Sequence, residues 1–434
     1  MAIIPQISLF NWQDDIDELG DLERFYLVLE NIDDEKLMRL LEDARGRGRN
    51  EYPVRVMWNV LLAMRVFEHP TVASVLRELN RNVQLRYLCG IDHIDKVPKA
   101  HNVSRFLTVL QEYQDEIDKI FQRLVNWLRE NLDGFGQHLA MDSKNISSFA
   151  KRANQNTNPD GRRETDADFG VKTYSGVDQD GKAWQKTIYC FGFKLHLIVD
   201  SAYELPVTYS LTKASRSDVK EGHDLIDWLA QDHPHIIEKC QFFTADRGYD
   251  DGKLIEKLKT LGISPIIDNR ILWQDELERP LPGYSNVYYN EKSQVFCYDS
   301  KTQTKRTMAN NGYESARDCL RKKCPAKAYG IKCPSLADCP VKGGIRIPLS
   351  LNQRIFLPVD RSSYKFKDLY AKRTAVERVN SRLDVSYGFE NHTIRGQKKM
   401  RLHCSLALIV MLGMAVGRIK KKQSEHMRSL IRSA

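Results

Sequence analysis

The chain has 434 residues, 42% apolar and 28% charged, with 66 Lys and Arg against 57 Asp and Glu for a net charge of +9. These proportions exclude fibrous and fully disordered classes, and the length allows about two to four domains whose cores need no disulfide staples. The first residues lack a basic stretch followed by an apolar one, so no secretory signal is expected, and nine cysteines are a modest, odd number that suits a reduced cytoplasmic chain.

The N-terminal third reads as helical. Leu22, Phe25, Tyr26, Leu29 and then Leu37, Leu40, Leu41 recur at i, i+3, i+4 spacing, as do Val56, Val60, Leu61 and Met64. Pro53 and Pro70 bracket the second group, Thr71 caps a third helix running to about Asn80, and Asn102 caps a long one ending near Asn131. Arg45, Arg47, Arg49 and Arg55 cluster near one turn, as in a helix-turn-helix DNA reader; a short helical bundle without any ligand has the same pattern. Acidic residues dominate from Asp14 to Asp43.

After Gly134 the pattern becomes one of strands. His138 to Asp142 is a short strand ending in an acid, and a polar loop runs from Lys151 to Lys186. Ile188–Val199 and Leu205–Leu211 form a hairpin, and Asp218–Leu229 is a helix. Gln241–Ala245 is a strand leading into Asp246, followed by a helix over Asp250–Leu261 and a strand over Ser264–Ile267. This order predicts a mixed sheet with helices on its faces. Residues 270–361 are different in kind: the β-rich pieces Val287–Tyr289 and Val295–Tyr298 precede a Cys-rich stretch, as in a functional insertion. From Lys365 the chain becomes helical again, through Tyr370 to Val385. The apolar run Cys404–Gly417 covers 14 residues, short of the about 20 that cross a bilayer, and is expected to be a buried core helix. From Arg395 onward ten Lys or Arg face the single acid Glu425, which suggests either a polyanion partner or a solvated end.

Three acids stand where side chains can converge. Asp142 and Asp246 each follow an apolar strand, and Glu377 lies in a basic helix between Arg373 and Arg378. Carboxylates at strand ends bind hard cations through oxygen, and two such ions serve phosphoryl transfer. The same residues also suit plainer roles: Asp142 a surface strand end, Asp246 a helix cap, Glu377 an ion-pair partner of Arg373.

The segment from Tyr370 to Glu377 has Tyr, two residues, Arg, three residues, Glu, which resembles the signature of bacterial insertion-sequence DDE transposases with a ribonuclease H-like core. Thr244 to Asp250 is similar to the surroundings of that family's second acid, and Ala140 to Lys144 to those of its first. Gly192 to His196, Pro206, Tyr52-Pro53 and Val103 to Phe106 are similar as well, so the resemblance spans nearly the whole chain. One departure stands out: the signature often continues with six residues and a Lys, and that position is Asp384 here, with Arg382 displaced.

The resemblance implies an α/β, ribonuclease H-like mixed sheet with flanking helices, preceded by an all-helical domain over 1–132. The catalytic core would run over 133–269 and 362–434, interrupted by the β- and Cys-rich insertion at 270–361. It implies that Asp142, Asp246 and Glu377 hold two Mg²⁺ or Mn²⁺ ions, and that element ends are cut and the freed 3′-hydroxyl is joined to target DNA. Tyr370 and Arg373 would contact DNA phosphate, as would Lys194 and His196, which alternate onto one strand face. The implied partners are double-stranded DNA, both terminal inverted repeats and target, and a second copy of the chain; the expected location is the cytoplasm, at the nucleoid, with no membrane association. A related nuclease without strand transfer, or a non-catalytic DNA-binding relative, is the alternative.

Cys319, Cys324, Cys333 and Cys339 give C-x4-C-x8-C-x5-C, enough thiolates for a structural Zn²⁺; an iron–sulfur cluster and free thiols are the other readings. Cys89, Cys190, Cys240, Cys297 and Cys404 lie in apolar contexts and read as core residues.

Overall fold

A computed structural model describes residues 19–46, 51–154, 161–177, 182–273 and 278–429. Asp14, Asp15, Asp17 and Glu18 of the acidic run, Arg47 and Arg49 of the basic turn, and the chain beyond 429 lie outside these residues.

Seven helices come first: α1 (Glu23–Asn31), α2 (Glu35–Arg45), α3 (Val54–Val66), α4 (Val72–Arg81), α5 (Val83–Leu88), α6 (Ala100–Leu110) and α7 (Gln114–Asn131). Thr71 caps α4 in a reciprocal capping box with Ser74, which satisfies two backbone donors that the helix start would leave orphaned. The long helix expected from Asn102 is two helices, α6 and α7, joined by a 3₁₀ turn over Gln111–Tyr113, and Asn102 lies inside the first. Arg55, expected on a DNA-reading turn, is buried: it donates to Asp34 at 2.5 Å, and Trp58 Nε1 donates to the same carboxylate at 2.6 Å. A guanidinium so enclosed ties α3 to the start of α2 and presents nothing to a ligand.

The sheet is built from β1 (His138–Ser147), β2 (Asp168–Val177), β3 (Ala183–Asp200), β4 (Leu205–Lys213), β5 (Phe242–Ala245) and β6 (Ser264–Ile267), with α8 (Asp218–Asp232), α9 (Pro234–Lys239) and α10 (Gly252–Thr260) between the later strands. The order is β2-β3-β1-β5-β6 with β4 also on β3. β1 and β4 pair antiparallel with the second half of β3, and β2 pairs with its first half. β5 and β6 continue in parallel from β1. The region expected as a loop over Lys151–Lys186 therefore contains a full strand, β2, in a two-stranded ribbon with β3. Gly192 marks the closest approach of β3 to β1: a Cβ there would collide with the Ile146 carbonyl oxygen.

The insertion holds β7 (Arg279–Pro280), β8 (Val287–Tyr289), β9 (Val295–Tyr298), β10 (Lys305–Thr307), β11 (Ala309–Glu314), β12 (Cys319–Lys323), α11 (Pro325–Tyr329) and β13 (Ile345–Pro348). These form two small sheets, β10-β9-β8-β7 and β11-β12-β13, around a core of their own that includes Val287, Val295, Leu320 and Ile347. Arg354 ties it to the main body by donating to Asp250 at 2.8 Å, to the Arg270 carbonyl at 2.7 Å and to Glu291.

The chain then forms α12 (Tyr364–Ala371), α13 (Thr374–Tyr387) and α14 (Gln397–Lys420). The helix expected to run unbroken from Lys365 to Val385 breaks at Lys372–Arg373, so Tyr370 lies in the last turn of α12 and Glu377 in the first turn of α13. α14 has 24 residues and is long and apolar enough to cross a membrane, but 94% of its most apolar window is buried inside the protein, against α1, α3, α7 and β4. It is the core helix its composition suggested. One buried cluster joins the N-terminal helices, the sheet and α14.

The basic end is balanced from afar. Arg418 and Lys421 both reach Glu23 at 3.0 Å, Arg401 reaches Asp118 at 2.7 Å, Lys398 reaches Glu112 at 3.3 Å, and Arg428 reaches Glu204 at 3.1 Å. The acids missing from the C-terminal sequence come from the N-terminal half, so these five cations serve internal ion pairs.

Candidate active site

Register places the first two acids. Met141 is opposite Ala245 on the parallel pair β1 and β5, so the next residues, Asp142 and Asp246, stand side by side where β5 ends; β1 itself runs on to Ser147, so Asp142 lies mid-strand and not at the strand end expected from sequence. α13 packs on β1 and β3 and brings Glu377 to this edge. Arg373 connects the set: Nη2 lies 2.8 Å from Glu377 Oε1 and Nη1 4.0 Å from Asp142 Oδ2. Tyr370 completes it, stacked at 10° on Phe366 with its ring 5.7 Å from the Arg373 guanidinium carbon.

The electrostatics follow from this crowding. Burial, and then the negative charge of Asp246, push the Asp142 carboxyl up to about 6, against the weaker pull of the Ser143 amide and Arg373. Two carboxylates held together in a partly dry place form a site short of positive charge, with oxygen donors suited to a hard divalent cation. Glu377, with 48% of its side chain exposed, is the outermost of the three. Among the described residues no three His, Cys, Asp or Glu side chains are gathered at metal-binding distance, and Arg373 is the cation that bridges Asp142 and Glu377.

The plainer roles coexist with this geometry. Asp246 caps the 3₁₀ turn Arg247–Tyr249 by accepting from Gly248 N at 2.8 Å, and Glu377 is the ion-pair partner of Arg373. Lys194 and His196 share a face, as their alternation requires, but it is covered by the start of α8. Lys194 Nζ donates to the Arg216 carbonyl at 3.0 Å and to Asp218 at 3.1 Å. His196 has no exposed surface, pairs with Thr212 at 3.0 Å, and is pushed down to about 3 by burial. A buried, neutral imidazole has no charge to offer a phosphate.

One participant was not expected from sequence. Lys144, two residues beyond Asp142 on β1, donates to Asp384 of α13 at 2.5 Å. The signal was present as a lysine of the strand face that carries Asp142 and an acid where a lysine was expected. Nothing local joined the two.

Comparison with known proteins gives two family models. The one described as "Transposase DDE domain" matches residues 133–412, and the one described as "Transposase domain (DUF772)" matches residues 12–108. Among solved structures, the cryo-EM structure of a piggyBac transposase synaptic complex with hairpin DNA is 10% identical with a TM-score of 0.36, over 95% of this chain and 79% of that one. No curated protein matches.

Proposed function

Because the chain belongs to the DDE transposase family and is a transposase, we propose that Asp142, Asp246 and Glu377 are its catalytic acids and that it cuts the ends of a DNA element and joins them to target DNA. The observation that carries this reading is the parallel register of β1 and β5, which sets Asp142 beside Asp246 where β5 ends, with α13 packed on β1 and carrying Glu377.

In this reading the three carboxylates hold two Mg²⁺ or Mn²⁺ ions, which when bound activate water or a 3′-hydroxyl and stabilise the leaving oxygen. The chain's own residues orient the DNA. Arg373 presents a planar fork to a phosphate oxygen once released from Glu377, and Tyr370 holds that guanidinium against its ring. Lys194 and His196 act from beneath, Lys194 fixing the start of α8 through Asp218 and His196 joining β3 to β4 through Thr212, rather than touching DNA. The substrates are double-stranded terminal inverted repeats and target DNA, handled by two copies of the chain at the nucleoid.

Asp246→Asn tests the reading, since an asparagine still caps Gly248 and spares the local turn. Cleavage of a labelled element end should disappear while end binding persists; cleavage at the wild-type rate would overturn the assignment. Wild-type protein should also give strand-transfer products, and cutting without joining would favour the nuclease alternative.

A further inference from the structure

Cys319 and Cys324 do not share an ion. They stand at the two ends of the β12 strand, five residues apart and so about 16 Å at roughly 3.3 Å per residue, on opposite faces. Two thiolates on one zinc lie within about 4.6 Å of each other, twice a Zn–S bond of about 2.3 Å. Cys319 instead donates its thiol to the Arg317 carbonyl at 3.0 Å, away from the other three.

A different thiol faces them. Cys297 lies in the middle of β9, opposite Val287 and Arg306, and points into the insertion core against which Cys339 packs. Asn286 links those two cysteines: its Nδ2 donates to Cys339 Sγ at 3.8 Å and to the carbonyl of Tyr298, the residue after Cys297, at 3.1 Å. Two residues beyond Cys297, on the same face, Asp299 accepts from Cys333 Sγ at 3.1 Å. Cys324, Cys333 and Cys339 each open a turn, their carbonyls accepting from Ala328, Leu336 and Lys342 at 2.9, 3.1 and 3.2 Å.

We propose that Cys297, Cys324, Cys333 and Cys339 form a four-thiolate site for one Zn²⁺ that fastens the two small sheets of the insertion to each other. Cys297 comes from the first sheet, Cys324 from the end of β12 in the second, and the other two from the loop between α11 and β13. Cys297 has the other three around it: burial, and then Cys324, Cys339 and Cys333, push its thiol up to about 11, with Arg306 opposing. A divalent ion reverses that repulsion. As it binds, four thiols ionise and four protons leave to solvent, and Cys333 turns from Asp299 onto the metal, so binding and closing of the site are coupled. Arg306, held between the Lys332 carbonyl at 3.1 Å and Asp299 at 3.6 Å, offsets part of the double negative charge that results.

Metal content of the purified full chain tests this, with Co²⁺ titration of the metal-stripped protein as a second readout. Wild type and Cys319→Ser should each carry about one zinc and give the thiolate-to-cobalt charge-transfer bands of a four-sulfur site, whereas Cys297→Ser should fall at least about tenfold in zinc. Should Cys297→Ser fail to fold, the Cys319→Ser spectrum still decides, because loss of its four-sulfur bands overturns the assignment. Iron in place of zinc, or a wild-type chain that neither retains zinc nor binds Co²⁺, also overturns it. Asp246→Asn keeps its zinc, so this result stands or falls apart from the catalytic reading.

Discussion

Lys144 and Asp384 meet at 2.5 Å, tying the strand that presents Asp142 to the helix that presents Glu377. Both side chains are mostly buried, at 12% and 23% exposed, and the second oxygen of Asp384 has no hydrogen-bond partner. The pair thus sets the distance between two of the acids. Lys144→Ala should destabilise the protein by about 1–3 kcal/mol, between the ranges for surface and buried pairs. It should also lower cleavage more than it lowers DNA binding. The exchange Lys144→Asp with Asp384→Lys should recover part of both losses; strictly additive losses in denaturant titrations would show that the two side chains do not act together.

The raised Asp142 carboxyl makes the metal-free site a source of instability at neutral pH. Its folded-state pKa, about 6, lies above the 3.8 ordinary for an aspartate. The stabilising contribution of the protonated form is therefore complete below about 3.8 and is lost as pH rises through about 6. Asp142→Asn should stabilise the metal-free protein at pH 8 by about 1–3 kcal/mol, since it removes the charge, and should do nothing at pH 3. Melting curves at the two pH values check the sign. Added Mn²⁺ should raise the melting temperature of wild type at pH 8 and leave the variant largely unmoved.

Arg373 neutralises Asp142 and Glu377 in the absence of metal. Arg373→Ala should move the Asp142 pKa further up, because one of the terms that lowers it disappears, and proton titration by NMR would register the shift. The same change should weaken binding of DNA ends and reduce the steepness of its salt dependence by about one phosphate contact. An unchanged salt slope would remove Arg373 from the phosphate-contacting set.

Gly192 has no room for a methyl group, since a Cβ would strike the Ile146 carbonyl oxygen and press on Ser148 N. Gly192→Ala should separate β1 from β3 at the far end of β1, opposite Ser147, at about 1–3 kcal/mol or more. Loss of protection of the Ser148 amide, which donates to the Phe191 carbonyl at 2.8 Å, should be visible in hydrogen exchange.

What was legible in the sequence is what local pattern encodes. β6 falls on its expected residues and β5 within one, because short apolar runs between turn residues have few alternatives, and the strand-end placement of Asp246 came with them; β1 runs past Asp142 to Ser147, because its polar second half is held by pairing with β3. β2 was not legible: much of its ribbon with β3 stands in solvent, with Phe169, Val171, Ile188 and Tyr189 exposed, so no hydrophobic alternation marks it. The break before α13 lies among good helix formers, Lys372 and Arg373, and is set by packing rather than propensity. The face of Lys194 and His196 followed from alternation; its covering by α8 is tertiary. Cys297 reads locally as a core residue, and the three cysteines proposed as its partners lie in a separate stretch of sequence, where a short window of cysteines includes Cys319. The basic end hid its acids in the same way, in Glu23, Glu112, Asp118 and Glu204.

α14 also orders events in time. The N-terminal helices α1, α3 and α7 bury their apolar faces against a helix that is synthesised more than 250 residues after the last of them. Until residues 397–420 have emerged from the ribosome those faces have no partner, and a nascent chain that already carries Asp142 and Asp246 has neither Glu377 nor a closed core. Premature termination anywhere before α14 should therefore yield aggregation-prone fragments rather than half-active enzyme.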